Sequence, residues 1–424
     1  MGTCLTENPY TPTKPPRILG LALLTGALLA AAAALWTAAA LRPTPALLAA
    51  ASLLSAAILA AAAWYVRKVL VWGAGRWIGP YLLARRYRLR SDLPLDVCFQ
   101  FIDHFEPDYG RADPDRQLRR VRRWEEAYAA AIEGCSDSDG RCPQHTWFFA
   151  VSENAPEAAR LLARWPGRRW GEIEYHMHHD PQTTAPQLRQ RIRRDIQLLR
   201  ELGAVSSGRY GFVHGMFALA AGDRRWCNIV GELDVLVETG CYADFTFGSI
   251  GTPAQPRQVN SIYYARTTGR PKPHNSGAEC VAGRNGTGLL IFPGPMCFGL
   301  FGRVLDDADL GPRARPHPRR IGRWLDAHVH VRGRPNWVFI NVHAHSAPED
   351  DQDALFTGAM QALWAALEAR FRLHYLTARE AYNVVKAAEA GCDGDPNDYR
   401  DFEIPPPANR GGGRNRRGRR ARGV

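Results

Sequence analysis

Histidine and carboxylate side chains gather where four apolar runs of this chain end. The densest set follows the run EIEY, where the sequence reads EYHMHHD and places His176, His178, His179 and Asp180 within five residues. Neutral imidazoles and carboxylates are the usual protein ligands of zinc and similar ions, so this density favours a metal site over isolated core or surface histidines. A metal held in this way acidifies bound water and polarises a carbonyl group, which predicts hydrolysis.

The other three ends carry polar residues of the same types. They are FIDHFEP, with Asp103, His104 and Glu106; FVHGMF, with His214; and NVHAHS, with Asn341, His343 and His345. Taken singly, His214 or His345 is equally well explained as a hydrogen-bonded histidine of the core or surface. Because the C-terminal ends of parallel strands meet at one mouth of a barrel, we expect the four ends to converge on one site.

The spacing within EYHMHHD restricts which side chains can share a metal. Alternate residues of a strand point to the same face, so His176 and His178 can bind together while His179 points away. If the chain turns at this point, His176 and Asp180 form the pair instead. The sequence leaves both ligand sets open.

Alternating strand and helix patterns must position these residues. From Asp96 onward, short β-rich runs are followed by amphipathic helical stretches, one opened by Asp113 and Pro114 and the last by the capping box of Thr377 and Glu380. About seven such units predict a parallel sheet closed into a barrel, with the site at the C-terminal ends of the strands. An open, doubly wound sheet is the alternative.

The net charge of +12 comes from the two ends of the chain. Residues 1–90 carry ten Lys or Arg against one Glu, and residues 403–424 carry seven Arg against one Glu. Subtracting these two contributions leaves residues 91–402 with a net charge of −3. A slightly acidic core has no basic surface of the kind that binds DNA or RNA, so nucleic acid is not a predicted partner.

Two uncharged apolar segments near the N-terminus are each long enough to span a bilayer as a helix. They are Ile18–Leu41 and Ala46–Val66. A cleaved signal peptide would explain the first alone, and the second favours a transmembrane hairpin over residues 18–66. Basic residues such as Arg67 and Lys68 put its flanks in the cytoplasm by the positive-inside rule, whereas extracellular glycan substrates would put the following domain in the periplasm. The predicted location is a bacterial inner membrane, crossed more than once.

The remaining boundaries follow from composition. Residues 1–17 are predicted to be an N-terminal tail, 67–90 a basic interfacial segment, 91–402 the catalytic domain and 403–424 a disordered Arg/Gly-rich tail. The basic segments make membrane lipids predicted partners, because arginine and lysine are attracted to anionic lipid headgroups.

The order of the motifs resembles the polysaccharide deacetylase family, the fourth family of carbohydrate esterases. GEIEYHMHHDP is similar to that family's strand leading into a His-x3-His metal motif, and FIDHF stands where the family has paired aspartates. HTWFFAVSEN resembles the following Thr-Phe-Phe strand, and VFINVHAHS resembles the late motif with a catalytic histidine. The resemblance covers about residues 96 to 390. An Asp-His pair replaces the paired aspartates, which is typical of a divergent member.

The resemblance implies a fold, a cofactor and a reaction. The fold is a distorted (β/α)7–8 barrel, the cofactor a divalent metal, usually Zn²⁺, and the reaction removal of acetyl groups from a glycan. By position, the resemblance implies Asp103 as base, His343 as general acid, His104 and His176 as metal ligands, and His178 or Asp180 as the second metal-binding position. Glu106, His214 and His345 are candidate substrate-binding residues.

Two other functions fit the same residues. A glycoside hydrolase would use Asp103, Glu106 or Glu174 as its carboxylate pair. A membrane-tethered protein that binds glycans without catalysis would stack sugars on aromatic side chains. For the deacetylase, a cytoplasmic domain implies a lipid-linked or nucleotide-linked sugar precursor as substrate, as an alternative to a finished glycan.

Overall fold

The computed structural model describes residues 14–71, 73–86, 94–205, 208–299 and 304–408. Most of the two predicted tails, residues 87–90 of the basic segment and residues 91–93 at the start of the predicted catalytic domain lie outside these ranges. The described residues form two compact units, the first made of those up to residue 86 together with 250–252, and the second made of the others.

The first unit contains two long apolar helices. Its elements are β1 Lys14–Pro16, α1 Arg17–Leu41, α2 Pro45–Val71, α3 Ile78–Leu83 and β2 Arg85–Arg86, with β1 and β2 antiparallel. The indole N–H of Trp36 in α1 donates a hydrogen bond to the Ser55 hydroxyl in α2 at 3.0 Å, which ties the two helices together. By length and composition, Leu19–Leu41 and Pro45–Val71 can each cross a membrane.

The second unit alternates strands and helices. Its strands are β3 Asp96–Phe105, β4 His145–Phe149, β5 Gly171–Met177, β6 Tyr210–His214, β7 Cys241–Asp244, β8 Tyr263–Ala265, β9 Ala278–Glu279, β10 Leu289–Ile291, β11 Cys297–Phe298, β12 Leu305–Asp306, β13 Asp309–Leu310, β14 Trp337–Ala344 and β15 Arg372–Leu376. Its α-helices are α4 Pro114–Ala131, α5 Pro156–Leu162, α6 Ala185–Glu201, α7 Glu232–Glu238, α8 Ile321–Ala327, α9 Glu349–Phe356, α10 Ala359–Glu368 and α11 Ala378–Glu389.

Helix starts lie where the sequence predicts them. Asp113 precedes α4 and its carboxylate accepts a hydrogen bond from the backbone N–H of Arg116 at 2.9 Å. Thr377 and Glu380 form the predicted capping box at α11, where the Thr377 N–H donates to the Glu380 carboxylate at 3.1 Å. Each cap satisfies a backbone N–H that has no partner within its helix.

Most strands of the second unit join one large sheet. The strand order is β13-β14-β3-β4-β5-β6-β7-β10-β8-β9, and β15 also pairs with β3. Among the described strands of this sheet, the antiparallel pairs are those of β8 with β10 and with β9. The predicted α/β fold with a mostly parallel sheet is confirmed.

The sheet curves round on itself. Asn341 of β14 donates a side-chain hydrogen bond at 3.3 Å to the carbonyl oxygen of Phe292, which follows β10, and the rings of Phe292 and Phe339 lie 5.3 Å apart. Five strands lie between β14 and β10 in the strand order, so these contacts require strong curvature. No backbone ladder joins β10 to β14 among the described strands, and closure into a (β/α)7–8 barrel stays a prediction.

Three strands pair with β3. Strand β14 pairs with Asp96–Asp103 along one edge. On the other edge β15 pairs with Asp96–Gln100 and β4 with Ile102–Phe105. All three pairs are parallel, so the C-terminal ends of β14, β3 and β4 open at the same edge of the sheet.

A buried ion network joins β3, β15 and the loop before β4 at the opposite edge. The His374 imidazole lies 3.1 Å from an Asp96 oxygen and 2.8 Å from an Asp139 oxygen. Arg400 donates to the same Asp139 carboxylate at 2.6 Å. Burial lowers the pKa of His374, but hydrogen bonds to these carboxylates outweigh it and raise the pKa to about 9.

The raised pKa of His374 predicts a loss of stability in alkali. Because the folded-state pKa of about 9 exceeds the ordinary value of 6.5, the stabilisation is complete below pH 6.5 and is lost as the pH rises through 9. We expect the free energy of unfolding to fall by about 3 kcal/mol over this interval. Thermal melts of wild type and His374→Gln measure this difference. The exposed His317→Gln is the control, and an equal alkaline loss in His374→Gln would contradict the prediction.

Candidate metal centre

Three strand ends deliver imidazole and carboxylate groups to one place. His104 lies on β3 with Glu106 just after it, His176 lies on β5 with His178 just after it, and His345 follows β14. Strand β4 separates β3 from β5, and β14 is the other neighbour of β3. The predicted convergence of polar strand ends is therefore seen for three of the four ends.

Glu106 is shared by two sets of potential metal ligands. The ligand atoms of His104, Glu106 and His345 lie within 4.8 Å of one another, and so do those of Glu106, His176 and His178. A Glu106 oxygen is 3.0 Å from Nε2 of His176 and 3.7 Å from Nε2 of His178. We call these five residues the open group, because the His178 side chain is 34% exposed. Metal sites that do chemistry keep one coordination position open to water or substrate, so they are reached from solvent.

The protonation states of Glu106 and His104 suit a cation. Burial raises the pKa of Glu106, but the contact with the His176 imidazole and the neighbouring histidines outweigh it and lower the pKa to about 2. Burial, followed by repulsion from His345 and His176, lowers the pKa of His104 well below its ordinary value. An ionised carboxylate and a neutral imidazole are the forms that bind a divalent metal.

Outer hydrogen bonds orient the imidazoles of His176 and His178. Nδ1 of His176 donates to the Val213 carbonyl at 2.8 Å, which leaves Nε2 for the open group. Nδ1 of His178 lies 2.8 Å from one oxygen of Glu153, whose other oxygen accepts the His178 backbone N–H at 2.9 Å. Carboxylate–histidine pairs of this kind fix the tautomer of metal-binding histidines.

Replacing Glu153 by glutamine tests this orientation. An amide has one oxygen, so Glu153→Gln loses one of the two hydrogen bonds to His178, and we expect metal affinity to fall by about 10- to 100-fold. Titration against a competing chelator measures the affinity. Glu157→Gln, an exposed carboxylate on α5, serves as the control. Equal metal affinities in wild type and Glu153→Gln would show that Glu153 does not orient His178 for metal binding.

Asp103 lies on the other face of β3. Its carboxylate is fully buried, 2.8 Å from Nε2 of His145, and it accepts hydrogen bonds from the N–H and the hydroxyl of Ser346. Successive strand residues alternate between faces, and His104 takes the face of the open group. The residue predicted to act as base is therefore not brought to the open group.

His343 lies beside the open group. Its ring centre is 6.5 Å from that of His104 and 6.4 Å from that of Phe217. Its Nε2 lies 3.8 Å from a carboxylate oxygen of Asp309, a distance that allows an ion pair but exceeds a hydrogen bond. This position is compatible with proton transfer to a molecule bound at the open group.

Two other predicted site residues lie elsewhere. The exposed Asp180 carboxylate accepts a hydrogen bond from the backbone N–H of Gln182 at 2.8 Å and takes no part in the open group. His214 lies in a separate buried group with His179, Cys227 and Glu232. The fourth strand end thus serves a different cluster from the other three.

The sequence reasoning did not find Glu153, Cys227 or Glu232. Glu153 follows β4 in the run HTWFFAVSEN, so the same search for polar residues after apolar strands would have identified it. Cys227 precedes α7 and Glu232 opens it, after a stretch without regular periodicity. No pattern in the sequence links these two residues to His179.

The open group is able to hold a divalent metal. Each of its two sets offers two imidazoles and the shared Glu106 carboxylate, and such a ligand set suits zinc and similar transition metals. No protein-family model matches this chain, and no curated protein sequence matches it either.

Proposed function

We propose that this chain is a metal-dependent hydrolase that removes acetyl groups from a glycan, or from a lipid-linked or nucleotide-linked sugar precursor. The proposal makes it a divergent polysaccharide deacetylase. The observation that carries it is the open group, in which His104, Glu106, His176, His178 and His345 converge with His343 beside them. A bound divalent ion, zinc in this proposal, would supply a Lewis acid for an acyl carbonyl and acidify water.

The protein residues would bind the metal and move protons. Glu106 and the imidazoles supply the ligands, and Glu153 holds the His178 ring in orientation. His343, close to the open group and to Asp309, would donate a proton to the leaving amine or hydroxyl. The aromatic ring of Phe217, 5.1 Å from the ring of His104, forms one wall of the space for the substrate.

The proton acceptor in this proposal is Asp351. A general base must come within hydrogen-bond reach of the proton that it removes, and both oxygens of the fully buried Asp103 are already engaged. Asp351 lies in α9 and interacts electrostatically with His345. Burial raises the pKa of Asp351 to about 6, close to the value that suits a base at neutral pH.

Membrane attachment is part of the proposal. The helices α1 and α2 are each long and apolar enough to span a bilayer. We propose that they anchor the chain in a bacterial inner membrane, with the second unit on the cytoplasmic side because of basic residues such as Arg67. Protease digestion of intact spheroplasts would degrade the second unit only if it lies on the periplasmic side.

Acetate release tests the proposed reaction. Purified full-length protein in detergent, loaded with zinc, is incubated with N-acetylated and O-acetylated oligosaccharides, and free acetate is measured. We expect release to fall by at least about 100-fold in His343→Asn and in Asp351→Asn, with the exposed His317→Asn as control. New reducing ends without acetate would favour the glycoside hydrolase. Saccharide binding with neither product would favour the glycan-binding protein.

A further inference from the structure

A second cluster of ligand atoms lies away from solvent. Nε2 of His179 and Nε2 of His214 are 2.9 Å apart, and they lie 3.1 and 3.3 Å from the same oxygen of Glu232. The other Glu232 oxygen is 3.4 Å from Sγ of Cys227. All four side chains are buried, and those of His179 and Glu232 have no exposed surface.

We propose that His179, His214, Cys227 and Glu232 form a closed site for a structural zinc ion. Two imidazoles, a thiolate and a carboxylate are all established zinc ligands, and four of them complete a tetrahedron. The group contains no exposed position for water or substrate, unlike the open group. This arrangement is typical of metals that stabilise a fold.

Hydrogen bonding alone explains this cluster poorly. Two imidazole nitrogens that face each other and one carboxylate oxygen can share few protons among them, because a neutral imidazole has only one N–H. The Cys227 thiol is a weak donor, so its hydrogen bond to the Glu232 carboxylate at 3.4 Å contributes little. One divalent ion would satisfy the converging atoms of all four side chains at once.

Backbone groups already orient three of the ligands. The Ala220 N–H donates to Glu232 at 2.6 Å, and the Ala221 N–H donates to Sγ of Cys227 at 3.4 Å. Nδ1 of His214 donates to the carbonyl oxygen of Gly215 at 2.5 Å. Bonds of this kind from outside the ligand set are typical of built metal sites.

The segment that makes these bonds has an unfavourable backbone conformation. Phe217, Ala220 and Ala221 all have positive φ angles, of 58°, 48° and 55°. Residues other than glycine adopt this region at a cost of roughly 1 kcal/mol or more each, and they keep it only where the surroundings enforce it. A metal that links β5, β6 and the start of α7 would hold this segment in its positive-φ conformation. It would thereby keep Phe217 beside the open group.

Cobalt substitution detects the closed site separately from the open group, because of these two sites only the closed site contains a sulfur ligand. Full-length protein is purified in detergent from cells grown with cobalt in place of zinc. We expect thiolate-to-cobalt charge-transfer absorption that disappears in Cys227→Ser. It persists in Cys241→Ser, a buried cysteine outside the group, and in His176→Ala, which affects the open group. Absorption unchanged in Cys227→Ser would overturn the proposal.

Zinc-edge X-ray absorption tests the closed site in the wild-type protein, so its result does not depend on whether the variants fold. We expect a sulfur neighbour at about 2.3 Å from zinc. Bound zinc with nitrogen and oxygen neighbours only, or a folded protein that binds no metal, overturns the proposal. Sulfur-bound zinc without a second ion would leave the closed site standing and contradict the metal-dependent hydrolase. Bound zinc without a sulfur neighbour would contradict the closed site and leave the metal-dependent hydrolase standing.

Discussion

Glu106→Gln is expected to abolish metal binding at the open group with little change in the fold. Glutamine keeps the volume of glutamate but removes the only negative charge among the five ligands, and that charge faces both ligand sets. We expect metal affinity to fall by more than about 100-fold. Elemental analysis of full-length protein measures the loss, and acetate release should fall by at least about 100-fold in parallel.

The control for Glu106→Gln is the same substitution at Glu157, an exposed residue of α5. Metal bound through Cys227 should be retained in both variants, which shows that the second unit is still folded. Full metal content and unchanged affinity in Glu106→Gln would exclude this carboxylate as a ligand. In that case the open group would be a histidine cluster without a metal, and the hydrolase proposal would lose its support.

Arg379→Met is expected to cost about 3–5 kcal/mol of folding free energy. Arg379 of α11 binds both carboxylate oxygens of Glu172 at 2.8 and 3.0 Å, and both side chains are almost completely buried. Removing the guanidinium leaves a carboxylate without its cation inside the protein. Glu172 lies on β5, the strand that also carries His176, so this pair ties α11 to a strand of the site.

Chemical denaturation measures this loss of folding free energy. Two further variants show whether it comes from the buried charge. Arg160→Met removes an exposed ion pair on α5 and should change stability by less than about 1 kcal/mol. The double variant Arg379→Met with Glu172→Leu removes both buried charges and should be more stable than Arg379→Met alone. A double variant that is less stable than Arg379→Met would show that the carboxylate is satisfied without its partner.

The sequence predicts much of the architecture because its patterns are local. Strand periodicity, the caps at Asp113 and Thr377, and polar residues at strand ends all depend on neighbours a few positions away. The alternation rule also separates His176 and His178 from His179 correctly, since His179 lies in the other cluster. These features come directly from backbone geometry.

Other features depend on contacts that are distant in sequence. Asp103 is adjacent to His104, yet its role is set by His145 and Ser346 on the far side of β3. A resemblance of motifs places both residues of the pair in one site, whereas strand alternation separates them. Cys227 joins the second cluster through an irregular segment, and no periodic pattern predicts where such a segment leads.

The position of β3 has a consequence for biosynthesis. This strand is made first in the second unit, yet its partners along both edges include β14 and β15, which are made last. Pairs between residues so far apart in sequence are slow to form, because a long loop must close before any contact stabilises it. We therefore expect β3 to leave the ribosome unpaired along its β14 edge and over Asp96–Gln100 of its other edge, so that the nascent chain needs protection from aggregation until Leu376 has been added.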